Sequence, residues 1–224
     1  MLSRIFGRIS YLAYAGTFLV KARLHKITVP ENPHFDDETQ KFFIERLSNS
    51  KSYLEFGSGG STLLAGRLGV PTISVESSFE FAAAVQSRLN DQKAVRLLYA
   101  DIGITRHWGH PVFNNRKPSR VRAWRRYVET GLSAIDNEAF PDFVLVDGRF
   151  RVACALAIAS QASTVGATTD ILVDDYETRS DYLEIQKWIG LPKKIGRSAL
   201  FTVSSDHPVN IPRTVISAAM LDPN

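Results

Sequence analysis

Apolar positions along the chain change their rhythm twice. Up to Lys26 they recur at helical spacing, with Ile5, Ile9, Leu12, Phe18 and Leu19 set among Arg4, Arg8, Lys21, Arg23 and Lys26. The chain breaks around Pro30 to Pro33. Beyond it, Phe42, Phe43, Ile44 and Leu47 mark the face of a helix that Asp36 and Asp37 open and that ends near Ser48. From there the apolar runs shorten. Tyr53 to Phe56, Thr72 to Val75, Val95 to Tyr99, Phe143 to Val146 and Ile171 to Val173 read as strands. Between and after them lie helix-forming stretches at Ser61 to Leu68, Phe79 to Leu89, Arg149 to Ser160 and Tyr182 to Ile189. Strand and helix in alternation predict an α/β fold with a doubly wound, mostly parallel sheet. Two final strands are expected at Ala199 to Val203 and Thr214 to Ala219, joined by the Asp206 to Pro212 loop. The expected organisation is an amphipathic basic helix and linker over 1–33, then one domain over 34–224.

Composition narrows the class without changing this picture. The 224 residues are 44% hydrophobic and 22% charged, which excludes a disordered or low-complexity chain. A formal charge of +4 is too small to indicate nucleic-acid binding. The single cysteine, Cys154, excludes an intramolecular disulfide and fits a reducing compartment. It falls on the apolar face of Val152 to Ile158, as a core residue would. The apolar run Tyr11 to Val20 is about half the ~20 residues that span a bilayer. The positive charge after it opposes export. That leaves a helix packed on the domain or one lying on an anionic membrane surface, and hence a cytoplasmic or membrane-associated protein.

In a sheet of this kind ligands bind at the carboxyl ends of the strands. The first strand runs into Glu55-Phe56-Gly57-Ser58-Gly59-Gly60-Ser61-Thr62, a glycine-rich turn in which a side chain would block close approach to a ligand. The second ends in Glu76, 19 positions after Gly57, where a carboxylate can accept both hydroxyls of a ribose. Asp101, Asp147 and the pair Asp174-Asp175 close the next three strands. Any one of these acids alone would serve equally well as a helix cap. Together they line one edge.

The Leu54 to Thr62 stretch, with acids at the following strand ends, resembles the class I S-adenosylmethionine-dependent methyltransferases over roughly residues 36 to 190. Glu55, two positions before the first glycine, is the mark of that resemblance. The stretches Ala100 to Gly103, Leu145 to Arg151 and Val173 to Tyr176 are similar to a little-characterised bacterial branch of it. The resemblance implies a seven-stranded Rossmann-like sheet ending in an antiparallel hairpin, and S-adenosylmethionine as cofactor. It puts Gly57 and Gly59 at the methionine part, Glu76 at the ribose, Asp101 and Ile102 beside the adenine, and Asp147 near the methyl group. Glu55, Ser58, Gly60, Ser61 and Ser77 complete the expected cofactor-binding set.

For catalysis, Asp147 and Asp174 are the candidate bases, and positioning alone can supply much of the rate. Asp147, Asp174 and Asp175 could instead hold a divalent cation, although the resemblance to metal-dependent O-methyltransferases fails at Asp175 and Phe150, where asparagine and lysine are expected. Trp108, Arg149, Arg151 and Arg179 are the candidate substrate-binding residues. Their guanidinium groups favour an anionic small or medium-sized acceptor, or else pair with the aspartates. Basic residues cluster from Arg106 to Arg126, interleaved with Trp108, Phe113 and Trp124. That segment reads as a lid, a solvated helix face, or a surface for membrane or RNA. The leading expectation is O- or N-methylation. The rival is a non-catalytic module using its basic face for membrane, RNA or protein contact.

Overall fold

The computed structural model describes residues 27–90 and 92–224. The amphipathic segment 1–26 lies outside the described residues. The first helix, α1 (Asp37–Ser48), starts where the acidic pair predicts. The chain then alternates through β1 (Tyr53–Phe56), α2 (Gly60–Leu68), β2 (Thr72–Glu76), α3 (Phe79–Leu89) and β3 (Val95–Tyr99). It continues with α4 (Pro118–Ala134), β4 (Phe143–Val146), α5 (Arg151–Val165), β5 (Thr169–Val173) and α6 (Leu183–Ile189). The strands β6 (Lys193–Ile195) and β7 (Ser198–Val203) and the helix α7 (Arg213–Ala219) complete it. One seven-stranded sheet has the order β3-β2-β1-β4-β5-β7-β6. The first five strands are parallel, and β7 runs antiparallel to both β5 and β6.

Period-two alternation splits the core into two compartments. Leu54, Phe56, Val144 and Val146 face the side covered by α4 and α5, in a cluster with Trp124, Tyr127, Phe150 and Leu156. Tyr53, Phe143, Leu145 and Leu172 face the other side, against Phe43 and Leu47 of α1. Cys154 is buried in the larger compartment, as its pattern predicts. The stretch around Pro30, expected as a linker, lies along α2 and α3: Val29 is buried, Arg88 donates to its carbonyl at 3.2 Å, and Arg67 donates to the carbonyl of Glu31 at 2.9 Å. Among the described residues no helix is long and apolar enough to cross a membrane.

The end of the chain corrects one expectation. Thr214 to Ala219 is helical, and the hairpin is formed by β6 and β7 around a two-residue turn, Gly196-Arg197. Pro212 presets the backbone for a helix start. Val215, Ile216 and Ala219 then pack on the core at helical spacing. The strand β6 escapes the apolar pattern because Lys193 and Lys194 are exposed at the sheet edge, where lysine discourages pairing with another chain.

This hairpin is tied back to the start of α1. Asp36 caps α1 by accepting from the backbone N–H of Glu38 and Thr39, both at 3.1 Å, and also accepts from the N–H of Arg197 at 3.1 Å. The Thr39 hydroxyl, which donates to its Oδ2 at 2.7 Å, and these backbone bonds pull its carboxyl down to about 2 against the opposing effect of burial. Because the folded value lies below the ordinary carboxyl value of about 4, stability from this group is lost as pH falls from about 4 to about 2. Asp36→Ala is expected to cost about 1–2 kcal/mol, read from urea denaturation at pH 7, and to flatten that acid limb.

Candidate cofactor site and acceptor mouth

Glu55 lies under the glycine-rich turn, fully buried. Its Oε2 accepts from the Tyr53 hydroxyl at 2.9 Å and the Ser61 hydroxyl at 2.6 Å, and its Oε1 accepts from the Thr62 hydroxyl. Burial raises its pKa, opposed by those hydroxyls. Glu55, expected at the cofactor, has both oxygens engaged by hydroxyls beneath the turn, where it fixes the start of α2 and so shapes the turn. Ser61 is part of the same support. Ser58 joins it too, 2.7 Å from the Ser74 hydroxyl.

The turn itself needs its first glycine. Gly57 has φ +99°, and a Cβ there would lie 2.7 Å from the backbone nitrogen of Gly148. The turns after β1 and β4 therefore touch. A Cβ at Gly59 would meet nothing within 4 Å, so the backbone there borders open space. Gly60 is pressed against the backbone of Asn32 and Pro33.

Glu76, 6% exposed, spans the neighbouring loop. Its Oε1 accepts from the N–H groups of Ser77 and Ser78, both at 2.7 Å, and its Oε2 from the N–H of Ser58 at 3.1 Å. Burial raises its pKa against these three bonds. Oε2 keeps room for another donor, since a carboxylate oxygen has two lone-pair directions. Above it sits the single-turn helix His107–Gly109, tied down by the Ser77 hydroxyl to the Gly109 carbonyl at 3.4 Å. Trp108 on this turn has φ +61° and is 81% exposed. Asp101 is exposed and accepts from the Gly103 N–H at 2.9 Å. Beside it Ile102, Gly103, Ile104, Pro111 and Phe113 line a recess of about 120 Å³. Of the basic segment, Trp124 is buried in the core and Arg120 stacks on Phe113 at 4.8 Å, so neither Trp124 nor Phe113 is a free stacking surface.

At the other half of the edge, charges interlock. Arg151, 4% exposed in its side chain, meets Asp147 at 2.9 Å and Asp175 at 3.3 Å. It also donates to the carbonyls of Gly148, Asp174 and Asp147 at 3.1, 2.6 and 3.1 Å. Arg197 holds Asp174 at 2.8 Å and Asp175 at 3.3 Å. Asp174, a candidate base, is 1% exposed, and Arg197 and the Ser198 hydroxyl, at 2.7 Å, take its oxygens. Arg179 lies 3.9 Å from Asp175. The three aspartates do bring oxygens within 4.8 Å of one another. Each already faces a guanidinium, so a divalent ion would have to displace Arg151 and Arg197.

Asp147 differs from Asp174 because its side chain stays 36% exposed, against 1%. Burial and the neighbouring Asp174 and Asp175 push its carboxyl up to about 7, against the pull of Arg151. Arg149 is different in the opposite sense. It is 3% exposed, and among the described residues it forms no ion pair with a carboxylate. Its Nη1 lies 2.7 Å from the His110 ring nitrogen Nε2. Burial and Arg149 hold His110 down at about 4, so it is neutral at pH 7.

A sheet in this order, with a glycine-rich turn after β1 and carboxylates closing β2, β3 and β4, defines the class I Rossmann-like methyltransferase architecture. No family model matches the sequence, and no curated protein does. A solved structure of a methyltransferase-like protein from Silicibacter pomeroyi is 30% identical, with a TM-score of 0.72, over 87% of this chain and 100% of that one. A Staphylococcus aureus protein assigned as a caffeoyl-CoA O-methyltransferase aligns at 13% identity and TM-score 0.45, over 91% of this chain and 100% of that one. The CcbJ methyltransferase of Streptomyces caelestis aligns at 14% and 0.39, over 71% of this chain and 58% of that one. On the first of these likenesses, the chain belongs to the class I S-adenosylmethionine-dependent methyltransferases, a family of enzymes.

Proposed function

We propose that this chain transfers a methyl group from S-adenosylmethionine to an oxygen or nitrogen of a small or medium-sized acceptor, with excess positive charge at the mouth favouring an anionic one. The observation that carries the reading is Asp147: a part-exposed carboxylate, its pKa raised by burial and by the neighbouring Asp174 and Asp175, on the turn that touches the glycine-rich loop. The residues fit the cofactor. Open space at Gly59 leaves room for its methionine part, Glu76 Oε2 retains acceptor capacity for a ribose hydroxyl, and the recess beside Asp101 and Ile102 suits a flat base. Ser77 positions Glu76 rather than meeting the ligand. Bound there, S-adenosylmethionine supplies an electrophilic methyl group. Asp147, when ionised, accepts the proton that the acceptor loses, and Arg151 keeps that carboxylate oriented. With Arg151 and Arg197 already seated on the aspartates, the reading requires no metal.

The turn carrying Trp108 overlies Glu76 and must lift to admit the ribose, which makes it a lid. Calorimetric titration of the full chain with S-adenosylmethionine and with its demethylated product, with NAD as control, tests the site. Micromolar binding of the sulfur pair is expected. It should weaken at least about tenfold, or 1.4 kcal/mol, in Glu76→Gln, with the far-ultraviolet spectrum unchanged. Trp108 fluorescence should shift on binding. If neither sulfur ligand binds, the reading fails. One observation favours a second reading, a binding module: residues 102–128 contain no acidic side chain, and Arg116, Lys117, Arg122 and Arg126 are exposed.

A further inference from the structure

The aspartates and arginines at the mouth do not cancel. Arg151, Arg179 and Arg197 answer Asp147, Asp174 and Asp175. Arg149 is a fourth guanidinium with no carboxylate of its own, and its buried Nε has no hydrogen-bond partner. A charge buried in this way is costly unless something pairs with it.

The same place holds the head of α5, a helix of 15 residues with no side-chain cap and no acid in its first turn. Phe150 precedes it in the left-handed region, at φ +54°. Two N–H groups there are met by residues 223 and 224: Phe150 donates to the carbonyl of Pro223 at 3.5 Å and Arg151 to a main-chain oxygen of Asn224 at 3.2 Å. Arg149 Nη1 reaches the same Pro223 oxygen at 3.4 Å. Three donors, one of them cationic, thus converge on two adjacent main-chain oxygens, those of Pro223 and Asn224, at distances long for such bonds. An oxyanion presents two oxygens in the same way, and free of the chain it could approach all three donors more closely than the tail does.

We infer that Arg149 and the backbone N–H groups of Phe150 and Arg151 form a binding site for one oxyanion of the acceptor, a carboxylate or a phosphate, and that residues 222–224 plug this site until the acceptor displaces them. The inference rests on the methyl-transfer reading for the word acceptor, and on the geometry alone for the site. Arg149 is two residues from Asp147, so an acceptor anchored there by its charged group presents its remainder to the candidate base. The plug is a light one. Asn224 closes it with a local bond to Asp222 at 3.0 Å, while Met220, 7% exposed, anchors the preceding turn in the core and stays when the tail leaves.

The test uses the full chain, Arg149→Met and a chain truncated after Leu221, titrated with inorganic phosphate and with acetate, each with and without S-adenosylmethionine. Truncation is expected to tighten anion binding several-fold. Arg149→Met is expected to weaken it at least tenfold while melting at the same temperature as the wild type or higher, because the substitution removes an unpaired buried charge. A purely structural arginine would lower the melting temperature instead. Tighter binding of phosphate identifies a phosphorylated acceptor, and tighter binding of acetate a carboxylated one. The proposal is overturned if neither anion binds, if Arg149→Met binds as the wild type does, or if truncation leaves affinity unchanged. Anion binding without S-adenosylmethionine binding would leave the site standing and remove the methyl-transfer reading. The converse would remove the site alone.

Discussion

Asp147→Asn should lower methyl transfer by about 10²–10⁴-fold, the usual contribution of a positioned base, while leaving the affinity for S-adenosylmethionine unchanged. The measurement is single-turnover transfer to an acceptor found by screening carboxylated and phosphorylated compounds. Two pH trends of opposite sign accompany it. Transfer by the wild type should rise with pH through about 7, as Asp147 loses its proton. Stability should move the other way. The folded pKa lies above the ordinary carboxyl value of about 4, so the folded protein holds the proton more tightly than the unfolded chain between about 4 and about 7, and stability falls across that interval. In Asp147→Asn both slopes should disappear. A variant that keeps its wild-type rate would show that positioning supplies the catalysis and that the carboxylate does not act as base.

Arg151→Met should have the largest effect on stability. Its guanidinium bridges the ends of β4 and β5 through two aspartates and three carbonyls, and it is 4% exposed. Removing one partner of a buried pair costs about 3–5 kcal/mol. The low end applies here, because Asp147 and Asp175 are 36% and 31% exposed and water can take up part of their charge. Denaturant titration measures the loss. Arg151→Lys should recover only part of it, since an ammonium cannot span both carboxylates. A loss below about 1 kcal/mol, the range of a surface pair, would mean that the β4 and β5 ends are held by the sheet alone.

The parallel strands were legible because each is short and bounded by turns, and all but the edge strand β3 are buried on both faces and need no polar alternation. The carboxylates at their ends were legible for the same reason: a strand in this sheet must end where ligands bind. Three things were not. The strand β6 consists of two lysines and an isoleucine, and only its pairing with β7 makes it a strand. Glu55 carries the right chemistry for a ligand contact, yet the parity of β1 turns it toward Ser61 and Thr62, beneath the turn. Which arginine answers which aspartate is set by backbone turns at Phe150 and Asp175, both at positive φ without glycine, and no spacing rule predicts those. The unpaired state of Arg149 follows from that division.

The bond between Asp36 and Arg197 joins residues 161 positions apart. On a ribosome adding about 5–20 residues per second, α1 is therefore made roughly 8–32 s before the hairpin that completes its cap. Phe43 and Leu47 also need Phe143 and Leu172, which are synthesised well over halfway through that interval. Until then Phe43 and Leu47 have only early-made neighbours such as Phe35, Tyr53, Ala65 and Val70 to cover them, so the segment is a marginal helix with part of its apolar face open, a ready ligand for a chaperone at the exit tunnel.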